Sequence, residues 1–233
     1  LGLLTVVLVV LLGRQARDSI EPEEIHASRN FYGSLLVQEY RSDTPSKSRT
    51  LINGRITHGS QLMSMPTFPT TYYGEESGFG RAIEYFHDGN GTVRLGMVGL
   101  GTGTAAAHGR AGDVIRFYEI NPEVNRIAGT HGDLFTFVKE ARERNVKVDV
   151  AMGDARLVMD REAQRGERQR FDVLALDAFS SDAIPVHLLT REAFEVYLKH
   201  LARDADGNLT GVLAIHTSNR YLNLNPVVIR LAE

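Results

Sequence analysis

Val98-Gly99-Leu100-Gly101-Thr102-Gly103-Thr104 decides how this chain folds. The stretch closes an apolar run, Arg94 to Leu100, that reads as a buried strand. It leads into Gly103 to Arg110, a small-residue segment that reads as a helix. Glycine turns the backbone sharply and lets it approach another group without interference from a Cβ. A helix that starts there offers unpaired N–H groups. A simple tight turn is the competing reading. The strand–turn–helix context favours the first turn of an α/β unit that binds a ligand at its strand end.

Downstream the pattern alternates. Val114 to Ile120 reads as a strand, and Asn121-Pro122 starts a helix through Ile127. Val146 to Ala151 reads as a strand, Arg156 to about Gln169 as a charged helix with a solvated face, and Phe171 to Leu176 as a nearly continuous apolar strand. Thr190 to Leu201 reads as a helix and Gly211 to Thr217 as a further strand. Upstream, Glu76 to Phe86 has helical spacing, and His87 to Gly91 reads as a turn. Such alternation predicts a doubly wound, mostly parallel sheet with helices on both faces.

Residues 26 to about 70 differ in texture. Phe31 to Val37 reads as a strand, and Arg41 to Ser48 as a polar loop. Thr50-Leu51-Ile52 and Arg55-Ile56-Thr57 flank Asn53-Gly54, which predicts a hairpin with a type I′ turn. A small antiparallel β unit therefore precedes the α/β domain.

Composition narrows the function classes. The 233 residues carry a net charge of −3, so there is no strong basic field to attract nucleic acid. There is no cysteine, which excludes disulfides, thiolate metal sites and cysteine nucleophiles. No histidine pair has a convincing metal spacing. Leu1 to Leu12 is apolar and Arg14 and Arg17 follow, which reads as the end of a membrane helix with its basic flank on the cytoplasmic side. A buried strand or helix is the alternative there. Arg230 to Glu233 ends inside an apparent helix. The expected division is 1–20 as membrane-helix end or linker, 21–75 as the β unit, and 76–233 as a nucleoside-binding domain truncated at its C-terminus.

Ligands of parallel sheets sit at the carboxyl ends of the strands, so the chemistry is sought there. The G-x-G-x-G spacing has Thr104 where a dinucleotide fold carries a third glycine, which favours an S-adenosylmethionine (AdoMet) type of ligand over NAD. Glu119 closes the next strand in Tyr118-Glu119-Ile120-Asn121, where an acid accepts both ribose hydroxyls. Asp154, in Gly153-Asp154-Ala155, is placed to accept from an adenine amino group, with the Ala155 N–H on a ring nitrogen; a helix N-cap is its competing role. Asp177 and Asp182 flank the loop Ala178-Phe179-Ser180-Ser181, where a reacting amine could be held; an N-cap is the plainer role for Asp182.

With these residues in hand, the chain resembles a spermidine synthase from about Phe31 onward. The hairpin at Asn53-Gly54, the segment Tyr73-Gly74-Glu75, the glycine loop Gly99 to Gly103, Glu119, Asp154 and Asp177 to Asp182 carry the resemblance. Leu176 to His187 is also similar to the branch of that family fused to membrane segments. The resemblance implies an AdoMet-methyltransferase-like Rossmann fold and decarboxylated AdoMet or AdoMet as co-substrate, with no metal. It implies an amine or polyamine acceptor and a tether on the cytoplasmic face of the membrane; a homodimer is a further expectation. Asp182 would accept the amine proton or anchor a cationic substrate. Asp177 would support it, and Tyr73 would hydrogen-bond. Gly99, Gly101, Thr102, Gly103, Glu119, Ile120, Asn121, Asp154 and Ala155 would bind the nucleoside. His58, Glu75 and Ser181 would border the substrate, with a solvated loop histidine as the plainer role for His58 and a helix-start acid as the plainer role for Glu75. Three residues depart from the family. Thr102 stands where an aspartate holds the donor ammonium, Gly74 where the family has histidine or glutamine, and Asn121 where it has a second acid. An AdoMet-dependent methyltransferase is the first rival, a membrane-tethered AdoMet or polyamine sensor the second, and a dehydrogenase a distant one.

Overall fold

The structure is a computed structural model and describes residues 2, 5–11, 13, 22–40, 47–89, 91–178, 185–218 and 222–233. Two sheets organise these residues. The first is antiparallel, in the order β1 (Glu23–Asn30), β2 (Gly33–Tyr40), β3 (Ser48–Asn53), β4 (Ile56–Leu62). The second is parallel throughout. Its order is β7 (Lys147–Met152), β6 (Val114–Glu119), β5 (Arg94–Val98), β8 (Val173–Leu176), β9 (Val212–Ile215).

In the small sheet, Leu35, Val37 and Glu39 of β2 alternate toward the buried face. Leu35, Val37 and Leu51 join the same apolar cluster as the strands of the large sheet, so one face of the small sheet packs onto the large domain. Glu39 is buried because Arg49 Nε donates to it at 2.9 Å and Lys47 Nζ lies 3.0 Å away. Three expectations shift here. β1 exists although its polar sequence showed no clear alternation. Phe31 and Tyr32 are the turn before β2 rather than its start. In the β3–β4 hairpin Asn53 pairs with Ile56, so the two-residue turn is Gly54-Arg55. Gly54 has φ +62° and Arg55 is not at positive φ, so glycine serves the first central position and the turn is not type I′.

A 3₁₀ turn, Thr71–Tyr73, and α1 (Gly78–Asp88) connect the sheets. The Ser77 hydroxyl caps α1 by accepting from Gly80 N at 3.0 Å. α2 (Pro122–Ala128) and α3 (Phe137–Glu143) pack with α1 on one face of the parallel sheet through Ile83, Ile127, Phe137 and Val138. α4 (Ala155–Gln164) and α5 (Arg191–His200) cover the other face through Met159, Phe194 and Tyr197. β8 is buried at all four positions, as a central parallel strand covered on both faces must be. α6 (Asn225–Ala232) follows β9. The chain is thus doubly wound, as its alternation predicts.

Some local expectations are corrected. Thr104–His108 is a 3₁₀ helix, so no α-helix runs from Gly103 to Arg110. α1 continues through Asp88, where a turn was expected, and α3 was not anticipated. The charged segment after Arg161 is not wholly solvated. Glu162 is buried, bonded to Arg116 and accepting from the Tyr118 hydroxyl at 2.9 Å. At the N-terminus, residues 5–11 are helical, with Val6 to Leu11 exposed. Among the described residues no helix is long and apolar enough to cross a membrane.

Candidate active site

β5 leads to β6 and β7 on one side and neighbours β8 and β9 on the other, so the strand order reverses at β5. A crevice outside the carboxyl ends is expected at such a reversal. One of about 350 Å³ lies there, and the small sheet supplies its second wall through Leu35, Leu51, Asn53 and His58. The strand-end acids Glu119, Asp154 and Asp177 all line it. No Lys or Arg does so among the described residues.

Positive φ at two glycines shapes the floor. Gly99 has φ +97°, and a Cβ there would lie 2.5 Å from the Asp177 carbonyl oxygen. Gly101 has φ +55°, and its Cβ would lie 2.9 Å from the His58 carbonyl oxygen. The loop is therefore pressed between β8 and β4, a fit that only glycine allows. Gly103 does not line the crevice; its N–H closes the turn on Leu100 O at 2.8 Å. Thr102 is buried, and its hydroxyl pairs with that of Thr104 at 2.8 Å.

Glu119 is buried at the end of β6. Leu100 N donates to Oε2 at 2.9 Å and Asn121 N to Oε1 at 2.7 Å, so one carboxylate ties the glycine loop to the turn after β6. Burial pushes its carboxyl up, against the opposing N–H bonds of Asn121, Leu100 and Ile120. With three N–H donors on its two oxygens, the carboxylate keeps acceptor capacity for one further donor. Ile120 is 41% exposed and presents an apolar wall. Asn121 caps α2, its Oδ1 accepting from Glu123 N at 3.0 Å and from Asn30 Nδ2 at 2.7 Å. Its own Nδ2 is buried without a hydrogen-bond partner.

Asp154 takes the helix N-cap role that its position suggested, and it lines the crevice. Oδ1 caps α4 by accepting from Leu157 N at 3.0 Å, and Oδ2 meets His187 Nε2 at 2.7 Å. Ala155 is the first residue of α4 and lines the crevice beside it. His187 also lines the crevice, and the sequence had assigned it no role.

Asp177 accepts from three side chains. Tyr72 Oη donates to Oδ2 at 2.9 Å, Tyr73 Oη donates to the same oxygen, and His216 Nδ1 donates to Oδ1 at 2.8 Å. Burial acts to raise its carboxyl, but the bonds from His216, Tyr73 and Tyr72 outweigh it and hold the group below the usual carboxylate range. Burial, with the Asp177 charge beside them, pushes both phenols well up, so they stay protonated donors. Tyr73 is itself placed by His108 Nε2, which donates to its carbonyl at 2.6 Å, and by the ring of Phe79 at 5.1 Å.

His58 lines the crevice with its Nε2 buried and unpartnered. Burial lowers its basicity, and the nearby Asp177 charge works the other way. Glu75 is exposed and does not line the crevice, so the structure does not bring it to the other site residues. Ser181 and Asp182 lie outside the described residues. Among those described, no cluster of three His, Asp or Glu could hold a metal. Sequence reasoning passed over Tyr72 and His187 as site residues, and it placed His216 only within the strand Gly211 to Thr217, without a direction for its side chain. Only the adjacency of Tyr72 to Tyr73, and the position of His187 in the quoted loop, signalled the first two.

No protein-family model matches the chain. A polyamine aminopropyltransferase of Vibrio vulnificus (strain CMCP6) is 35% identical over 102 residues, which span 42% of this chain and 31% of that relative. The chain thus aligns with about a third of the length of this curated relative. Spermidine synthase from Thermotoga maritima superposes with a TM-score of 0.53 at 13% identity, covering 89% of this chain and 64% of that one. A probable spermidine synthase from Corynebacterium glutamicum ATCC 13032 gives 0.48 at 17% identity, over 79% of this chain and 61% of the other. The chain therefore shares the fold of the Thermotoga structure, a methyltransferase-like Rossmann sheet preceded by a small antiparallel sheet.

Proposed function

We propose that the crevice binds an AdoMet-type nucleoside, decarboxylated or not, and that the chain is a spermidine-synthase-like transferase moving an aminopropyl group to an amine. One observation carries this reading. Three strand-end acids, Glu119, Asp154 and Asp177, surround a single crevice that no Lys or Arg lines among the described residues. Such a lining favours a ligand with ribose hydroxyls, an amino-bearing base and positive charge. The aligned aminopropyltransferase supports the same substrate class.

In the proposed reaction the amine lone pair forms a C–N bond at the carbon next to the sulfonium. The C–S bond breaks, its electron pair returns to sulfur, and the product ammonium releases one proton. Sulfur leaves readily, so the chain's contribution is alignment, worth up to ~7–11 kcal/mol of barrier, and proton removal, worth ~10²–10⁴-fold. Glu119 takes the ribose, and Asp154 with Ala155 the base. Asp177 with Tyr73 faces the amine. Asp182 is the proposed proton acceptor, and Ser181 and His58 border the acceptor site.

Methyl transfer is the second reading, and Thr102 favours it. A neutral, buried hydroxyl already paired with Thr104 stands where a donor ammonium would need an acid. Calorimetry with AdoMet, decarboxylated AdoMet and methylthioadenosine, followed by product analysis with putrescine, separates the two. Aminopropyl transfer predicts heat with decarboxylated AdoMet and spermidine as product. Binding of AdoMet alone supports methyl transfer, and no heat with any of the three ends both readings. The exposed apolar residues Val6 to Leu11 support a further proposal, a tether at the cytoplasmic face of a membrane.

A further inference from the structure

Asp177 follows β8 and His216 follows β9, the neighbouring parallel strand, whose register pairs Leu176 with Ile215. The pairing continues past the strand, where His216 N donates to Leu176 O at 3.0 Å. The imidazole is thereby set beside the carboxylate, with Nδ1 2.8 Å from Oδ1. Its ring also packs on Tyr72 at 4.6 Å, and the Tyr72 hydroxyl bonds the other carboxylate oxygen. His216 does not itself line the crevice, whereas Asp177 does.

We infer that His216 is a positioning residue, which through its Nδ1–H holds Asp177 in one orientation and in its ionised form. Asp177 is then an anionic post for a substrate ammonium near neutral pH and a weak proton acceptor. This rests on the reading of the crevice as an amine site. Three donors converge on two oxygens, and a carboxylate so bonded is a weak base. The titratable groups facing it among the described residues are Tyr72 and Tyr73 from the 3₁₀ turn, His58 from β4 and His216. The phenols stay neutral and donate, so they hold the carboxylate without cancelling its charge.

Two measurements test this. The first needs no ligand. Nitrogen-15 histidine NMR of the free protein, assigned with His216→Gln, is expected to show His216 protonated at Nδ1; a bare Nδ1 overturns the inference. The second follows putrescine affinity in protein saturated with methylthioadenosine, from neutral pH downward, for wild type, His216→Ala and His216→Gln. In His216→Ala the acid loss of putrescine binding is expected to move up by about one pH unit, because a donor to Asp177 is gone. His216→Gln, whose amide can donate in its place, is expected to reverse most of that shift. Nucleoside affinity within about twofold of wild type shows that both variants are folded. An unchanged acid limb in His216→Ala, or His216→Gln tracking His216→Ala, overturns the inference. If wild type binds methylthioadenosine but no putrescine, the amine-site reading fails, and the NMR result alone judges His216.

Discussion

His187 Nε2 lies 2.7 Å from Asp154 Oδ2, while Asp154 Oδ1 accepts the Leu157 N–H at 3.0 Å. One carboxylate thus starts a helix, holds a histidine of the 3₁₀ turn Val186–Leu188 from 33 residues away and faces the crevice. The two oxygens divide this work, so the cap can be separated by substitution from the proposed recognition of a base.

Asp154→Asn keeps the helix cap, because Asn and Asp are equivalent there. Its melting temperature is expected to stay within about 2 °C of wild type. An amide nitrogen toward the crevice repels an amino group and attracts a carbonyl. Preference for methylthioadenosine over methylthioinosine is expected to fall roughly tenfold or more by calorimetry. An unchanged preference removes Asp154 from base recognition.

Glu119→Ala is expected to weaken methylthioadenosine at least ~tenfold. In wild type, burial raises the Glu119 carboxyl, so nucleoside affinity should begin to fall with acidification above the ordinary glutamate value of about 4.3. That limb should vanish in Glu119→Ala, and its persistence there would assign it to another group.

Asp177→Asn should destabilise the protein at neutral pH by ~1–3 kcal/mol, because the carboxamide cannot satisfy three donors. The sign with pH follows from a depressed carboxyl. Its stabilisation is present above the unfolded value of about 3.9 and is lost as pH falls through the folded one. The gap between wild type and variant in urea unfolding should therefore narrow at low pH. A gap that widens there contradicts this.

Thr102→Asp places an unpaired charge at a buried position packed against Gly59. A loss of roughly 5 °C or more in melting temperature is expected. Decarboxylated AdoMet should restore more of it than methylthioadenosine, since only the former brings an ammonium. Equal rescue by both would show that the ligand tail does not reach Thr102.

Gly99→Ala meets the Asp177 carbonyl, a backbone atom that cannot yield, at a positive φ. Nucleoside binding should be lost, with a destabilisation of ~2 kcal/mol or more. Wild-type affinity in this variant would show that the loop tolerates displacement.

Much of the parallel sheet was legible because its signals are local. Apolar runs marked β5, β6, β7 and β8, and glycine marked the turn after β5. Asn121-Pro122 and Asp154 marked helix starts, and both side chains do cap. β1 escaped notice because an edge strand half open to solvent needs no apolar alternation. Glu162 looked solvated because its partners, Arg116 and Tyr118, lie on a strand more than forty residues earlier. The hairpin turn moved by one residue because the β3–β4 register, not the Asn-Gly dipeptide, chose the central pair.

The sequence alone determined the alternation of the parallel strands with most of their helices, the glycine bend and which acids close the strands, since each depends on neighbours along the chain. Tertiary structure alone decided what those acids touch. Tyr72 reaches Asp177 across 105 residues, His216 across 39, and His187 reaches Asp154 across 33. These pairings arise from strand order and the docking of the small sheet, which bring distant side chains within a hydrogen bond and leave no periodic trace in the chain.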